Sequence, residues 1–287
     1  MSFQGRAADA GRAVLALAGF YIAFSVVGYG LTVLQDVLVA ESGSPSAGRG
    51  VIGAVVPGLA GIGIVYAVLV ARTAWSPARL RLLTGGSVGR AFGRGWLWGV
   101  GLAGAALLLA VVGGARLLVG PAPGEGYVTV AAVVAVALAL AALLEELLFR
   151  GFPLARLSEA VGRVGGSVVL AVGFAVAHLG NPDVSVLALV NIALASLLLS
   201  AVFFGPGGLP AAFGVHLGWN VGLVLGADAP VSGLRFGLPT LEYYSGSRDW
   251  LTGGRFGPEG GLVATIVLGG ALWWWTRRLS NAKAVTV

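Results

Sequence analysis

Two adjacent carboxylates, Glu145 and Glu146, close an apolar run that begins near Tyr127. A charge at the centre of a membrane helix costs ~2.5–3.5 kcal/mol on insertion scales, so a pair of them there calls for a purpose. Arg150 stands four residues after Glu146, one turn along the same helix face. It can hold Glu146 as a charge-assisted pair. Glu145 points about 100° away and is left to meet residues from other helices. The chain has two histidines, and both lie in apolar segments. His178 follows Phe174 by four, and His216 precedes Asn220 by four, so each pair shares a helix face. A carboxylate beside an imidazole can activate water as a general base. A second histidine with an asparagine supplies donors for a developing oxyanion. Each group also has a plainer use: Glu146 with Arg150 as a structural pair, the histidines, Asn220 and Asn191 as interhelical hydrogen bonds. Convergence of Glu145, Glu146, Arg150, His178, His216 and Asn220 on three apolar segments favours chemistry.

The elements that must carry these residues follow from composition. The chain is 57% hydrophobic and 10% charged, with 48 glycines and a mean hydropathy of +0.91. Soluble domains carry about 25% charged residues. The fold class is therefore an all-α polytopic membrane protein. Eight apolar segments are long enough to span a bilayer: 13–39, 51–71, 95–119, 127–149, 164–180, 184–204, 208–226 and 259–276. Gly, Pro and Ser mark the connections, as in Ser42-Gly43-Ser44-Pro45 and Gly205-Pro206-Gly207-Gly208. Without cysteine there is no disulfide framework, thiolate metal site or nucleophilic thiol. The first apolar segment is too long for a signal-peptide core and is expected to be retained.

If Glu145 and His178 lie at equal depth on antiparallel helices, the turn between them falls near residue 161 or 162. Val161-Gly162-Arg163-Val164-Gly165-Gly166 is a turn by composition. The fourth helix would then run on past Arg150 and carry Arg156 and Glu159 on a protruding end.

The net charge is +6, but the arginines lie between apolar runs rather than in one patch. They read as topology determinants, not as a nucleic-acid surface. With both termini in the cytoplasm, all basic residues but Arg49, Arg116, Arg235, Arg248 and Arg255 fall inside. The chain then belongs to the cell (plasma) membrane, with its site in the cytoplasmic half. Trp96, Trp98 and the Trp273-Trp274-Trp275 run read as interface anchors. The stretch from Arg72 to Arg94, with Trp75, Leu80, Leu82 and Leu83, is expected along the cytoplasmic lipid surface. The polar connection 227–258 is expected to form an ordered outer cap. The chain divides into N-terminal helices with a basic loop (1–126), a core (127–226), and the outer loop with the last helix (227–287).

At the polar residues the sequence resembles the CPBP family of intramembrane proteases, which includes CAAX prenyl proteases and bacteriocin-processing or immunity proteins. The family pattern EExxxR, FxxxH, HxxxN/D is present in order as Glu145-Glu146-xxx-Arg150, Phe174-xxx-His178 and His216-xxx-Asn220. Phe149-Arg150-Gly151-Phe152 matches its common continuation, and the resemblance covers about 140–225. It implies an α-helical endopeptidase cutting a peptide or protein substrate at the bilayer, prenylated or not. Glu145 and His178 would activate the attacking water, His216 and Asn220 would stabilise the tetrahedral intermediate, and Glu146, Arg150 and Phe174 would support them. The family is often described as metal-dependent. Glu145, His178 and His216 could supply ligands to a divalent metal such as zinc, yet no HExxH is present, and a metal-free glutamate mechanism fits the same residues. Two other classes compete: a non-catalytic binding or immunity protein that keeps the fold, and a proton-relay transporter, for which neither broken helices nor repeat symmetry is evident. The oligomeric state and the natural substrate are open.

Overall fold

A computed structural model of the chain describes residues 3–41, 51–82, 86–120, 124, 126–238 and 241–284. The Ser42–Pro45 turn, Arg49 and Leu83 lie outside them. Among the described residues the fold is almost wholly helical, and eight helices reach 19 residues or more. They are α1 (Phe3–Glu41), α2 (Val51–Arg72), α3 (Val88–Val112), α4 (Tyr127–Phe149), α5 (Phe152–Ala177), α6 (Val186–Phe204), α7 (Gly208–Ala227) and α9 (Leu262–Ala284), with the single turn α8 at Asp249–Thr252. Among the described residues six stretches are long and apolar enough to cross a membrane, one of them running through α4 and α5 from Tyr127 to Ala177. The last of the eight apolar segments is now α9, whose residues from 279 on lie outside those described in full. Valines and leucines such as Val14, Leu108, Val128, Val164 and Val176 stand exposed on the helices, as suits side chains meant for hydrocarbon. The chain is an integral membrane protein.

The chain divides into two compact units. The first comprises Met1–Leu83 with Val136–Gly166, the second Thr84–Ala135 with Ser167–Val287.

In the first unit, α1 and α2 meet where a Cβ on Gly61 would lie 3.1 Å from the Gly28 backbone. An aromatic core of Phe20, Tyr66 and Phe152 packs with Ile62, Val65 and Leu80. Phe20 lies 5.4 Å from Phe152, and Trp75 meets Phe152 edge-on at 5.1 Å. Leu80 is completely buried here, which corrects its expected placement along the lipid surface. The turn at Pro77–Leu82, closed by backbone bonds from Leu80 and Leu82, folds it inward. Two ion pairs tie the periphery, Arg79–Glu159 at 2.7 Å and Arg156–Asp9 at 3.1 Å.

The fourth helix does not run past Arg150. It stops at Phe149, and a separate helical stretch begins at Phe152. The expected turn is where its glycine placed it: Gly162 takes φ 81° and ψ 162°, outside helical space, and breaks α5 in two.

In the second unit, α7 is the most enclosed of the apolar helices. It lies against α3 at backbone contact. A Cβ on Gly99 would sit 2.1 Å from the Val215 carbonyl oxygen, and one on Gly218 2.3 Å from that of Trp96. Only glycine allows this approach, the usual device for helix pairs in lipid, where close backbone packing replaces the hydrophobic drive. The α3 helix starts at Ser87, whose side chain accepts from Arg90 N, and ends at Val112. The span expected over 95–119 is thus shortened: Gly114 turns the chain at φ 109°, and Arg116–Val119 forms strand β1. Its antiparallel partner is β2, Leu241–Tyr244, with Arg116 opposite Tyr244. The connection expected as a cap is held by hydrogen bonds at its described residues. Tyr243 Oη donates to Thr252 O at 2.6 Å, Thr252 Oγ1 to Ser245 O at 2.6 Å, and Asp228 Oδ1 accepts from Leu238 N at 3.0 Å. Asn191 of α6 donates to the carbonyls of Glu259 and Gly261 and accepts from Thr265 of α9, so it serves as interhelical glue.

Candidate active site

The candidate residues fall in both units. In the first, Glu146 and Arg150 are fully enclosed, with Arg150 Nη1 3.1 Å from Glu146 Oε1. The pair expected from the four-residue spacing is formed. A buried pair of this kind is held because its partners neutralise each other. Removing either strands a charge, at a cost of about 3–5 kcal/mol. Glu145, one residue back, faces another direction and is half-buried. The two glutamates are therefore not equivalent.

What holds this helix end is a set of residues outside the motif. The last turn of any helix leaves carbonyls without helical partners. Here the Glu146 carbonyl takes both Arg150 N, at 2.8 Å, and Gly151 N, at 3.3 Å. Two phenols take the next carbonyls: Tyr66 Oη donates to Leu147 O at 2.8 Å and Tyr21 Oη to Leu148 O at 2.9 Å. The Tyr66 oxygen also accepts from Phe152 N at 2.7 Å, so one hydroxyl bridges the end of α4 and the start of α5. Gly151 leaves the space for it, since a Cβ there would lie 1.7 Å from Tyr66 Oη. Sequence reasoning missed Tyr21, Tyr66 and Gly151 as supports. The available signal was two tyrosines within apolar helices, each needing a partner for its hydroxyl.

In the second unit, His178 sits in the turn just after α5, where His178 N bonds to Ala175 O and Leu179 N to Val176 O. Its Nδ1 lies 2.7 Å from Phe174 O. A carbonyl oxygen only accepts, so Nδ1 carries the proton and Nε2 is left as the acceptor of the neutral ring. The buried Phe174 ring lies 4.6 Å from the His178 ring and meets His216 edge-on at 6.3 Å. Phe174 thus stands against both imidazoles. His216 and the buried Asn220 are a turn apart on α7, the helix whose position is set by its glycine contact with α3.

Each part has the chemistry its residue types suggest: a carboxylate as base, an imidazole with Nε2 free to accept, and an imidazole–amide pair on one helix face. Among the described residues no group of three or more His, Cys, Asp or Glu side chains is placed to hold a metal ion.

Residues 127–222 match the family model of the Rce1-like type II CAAX prenyl endopeptidases. All the motif residues, from Glu145 to Asn220, lie inside the matched stretch, and the resemblance to the CPBP family is borne out. The match supports a membrane endopeptidase in general terms, with a peptide or protein substrate at the membrane. No curated protein matches the chain at a significant level.

Proposed function

We propose that this chain, from its Rce1-like stretch at 127–222, is an intramembrane endopeptidase that hydrolyses peptide bonds of membrane-associated substrates, prenylated ones included, by glutamate-activated water. Glu145 takes a proton from the water while His178 orients it through Nε2. The resulting hydroxide adds to the scissile carbonyl carbon, and the carbonyl oxygen becomes an oxyanion. His216, through a ring N–H, and Asn220, through its amide N–H, donate to that oxygen. Such preorganised donors are worth ~2.7–4 kcal/mol each in comparable sites. Glu145 then returns its proton to the leaving nitrogen, the C–N bond breaks, and the products are a carboxylic acid and an amine, which become carboxylate and ammonium when the acid proton passes to the amine. Glu146, Arg150 and Phe174 hold the acting groups in place. The site works from the cytoplasmic half of the plasma membrane, in keeping with the arginine distribution.

The observation that carries this reading is the family match over 127–222, the stretch that holds all three motifs. The contact of His178 Nδ1 with Phe174 O supports it as well. The test is cleavage by the purified chain in liposomes of a farnesylated CAAX peptide and its unprenylated twin, each with and without a chelator. Cleavage that survives chelation is expected. Activity lost to the chelator and restored by stoichiometric zinc would overturn the metal-free mechanism, and no cleavage of either peptide would count against this substrate class.

A further inference from the structure

The two histidine-bearing elements of the second unit are joined by hydrogen bonds that the proposed chemistry does not use. Their hub is Glu259, in the 3₁₀ turn Pro258–Gly260 of the outer cap. Its Oε1 accepts from Trp219 Nε1 of α7 at 2.8 Å. Its Oε2 accepts from Ser232 N at 2.5 Å and Ser232 Oγ at 3.2 Å. The Ser232 carbonyl accepts from Asn181 Nδ2 at 3.0 Å, and Asn181 N donates to His178 O at 3.1 Å. The path runs unbroken from α7 through the cap to the turn that carries His178.

Two further features mark this path as held rather than incidental. Ser232 has φ 49°, a left-handed conformation that a non-glycine residue keeps only where its surroundings impose it. Next to it, a Cβ on Gly233 would lie 2.2 Å from Pro182 O, so the 181–183 turn presses directly on the Ser232–Gly233 backbone. The hub is itself fixed, because Glu259 O accepts from Asn191 of α6.

The position of Trp219 gives the path its consequence. It precedes Asn220 by one residue and follows His216 by three, which places its side chain about 100° and about 60° from theirs around the helix axis. Holding its indole therefore sets the heading of α7, and with it the directions of His216 and Asn220.

We infer that Glu259 is a positioning residue, which with Ser232 braces α7 to the His178 turn and so fixes His178, His216 and Asn220 relative to one another. The inference rests on the reading that these three side chains do the chemistry. A carboxylate suits the hub because both oxygens accept, whereas glutamine at the same volume would set an NH2 against a donor at one end. Ordinary packing by Glu259 would survive that exchange; the brace would not.

With only two histidines in the chain, NMR of isotope-labelled histidine in micelles reports this brace with or without substrate. Glu259→Gln is expected to displace the ring nitrogen signals of both imidazoles and to weaken the single Nδ1–H tautomer of His178. Glu242→Gln, in the same cap, where Glu242 Oε2 accepts from Tyr244 Oη, is the control and should displace neither. With a farnesylated CAAX peptide as probe, Glu259→Gln should lower kcat about 10–100-fold with KM little changed, as misplaced rather than missing groups do. If Glu259→Gln does not fold, Trp219→Phe and Asn181→Ala cut the path at its two ends and should displace His216 and His178 respectively. Unchanged imidazole signals in a folded Glu259→Gln protein, or equal displacement by Glu242→Gln, would overturn the inference. If the wild type fails to cleave the peptide, that counts against the proposed substrate class alone, and the imidazole signals still decide the brace.

Discussion

Replacing Tyr66 with phenylalanine removes one oxygen and leaves the aromatic packing with Phe20 in place. That oxygen serves two backbone groups, Leu147 O at 2.8 Å and Phe152 N at 2.7 Å, at a side chain that is only 7% exposed. Neither group has a helical partner to fall back on, because α4 ends at Phe149 and α5 begins at Phe152. Leaving a buried donor or acceptor unmade costs ~1–3 kcal/mol. With two such groups sharing one site, a loss of about 3 kcal/mol is expected. For a chain of this size that is a fall of roughly 6–12 °C in Tm. Thermal unfolding in detergent, followed by circular dichroism, measures it. The same loss should loosen the helix end that holds Glu146 and Arg150, so peptide cleavage should fall along with Tm. Tyr21→Phe removes one bond, to Leu148 O, and should cost about half as much. A Tyr66→Phe protein with wild-type Tm and wild-type cleavage would refute the idea that this phenol secures the junction.

Three other outcomes follow from the same geometry. Arg150→Ala leaves Glu146 buried beside a cavity and should destabilise the fold by about 3–5 kcal/mol, seen as poor recovery in detergent; Glu146→Gln, which strands the guanidinium instead, should fall in the same range. Gly218→Val puts a side chain where even a Cβ would be 2.3 Å from Trp96 O, so α3 and α7 must separate and cleavage should be lost, whereas Gly226→Ala, with open space at its Cβ, should behave as wild type. Burial raises the Tyr243 phenol to about 12. Because the folded value lies above the unfolded value near 10, its contribution is complete below pH 10 and is lost as pH rises from 10 to 12. Phenolate absorbance and hydrogen exchange in the cap should change together over that window, and Tyr243→Phe should abolish the coupling.

Much of the fold is legible in the sequence because hydropathy is a sufficient signal for helices in lipid. The segments 51–71, 127–149, 184–204 and 208–226 correspond closely to α2, α4, α6 and α7. The break at Gly162 is legible too, since a glycine-rich stretch between helices has few other uses. The Glu146–Arg150 pair follows from helix periodicity alone. The stop at Phe149 is different: it depends on hydroxyls from Tyr21 and Tyr66, which lie far away in sequence, and no local pattern announces it. Strand β1 escapes for a related reason, as Arg116–Val119 is apolar enough to extend a helix and becomes a strand only because Leu241–Tyr244 pairs with it. Leu80 looked like a lipid-facing residue in an arginine-rich stretch, and a local turn reverses it. The α3–α7 contact was written in small residues four apart, Gly95 and Gly99 against Gly214, Gly218 and Gly222, a pattern with a known physical meaning in lipid. Glu259, in a stretch that reads only as a polar loop, becomes meaningful once Trp219 and Ser232 are seen to converge on it.

The central claim is that Glu145, and not its neighbour, supplies the base. Its most direct measurement is single-turnover cleavage of a farnesylated CAAX peptide in liposomes by Glu145→Gln beside the wild type, with Tm recorded for both. The claim predicts a loss of about 10²–10⁴-fold, the usual contribution of a general base, in a protein that Tm shows to be folded. Cleavage by a folded Glu145→Gln protein at the wild-type rate would contradict it.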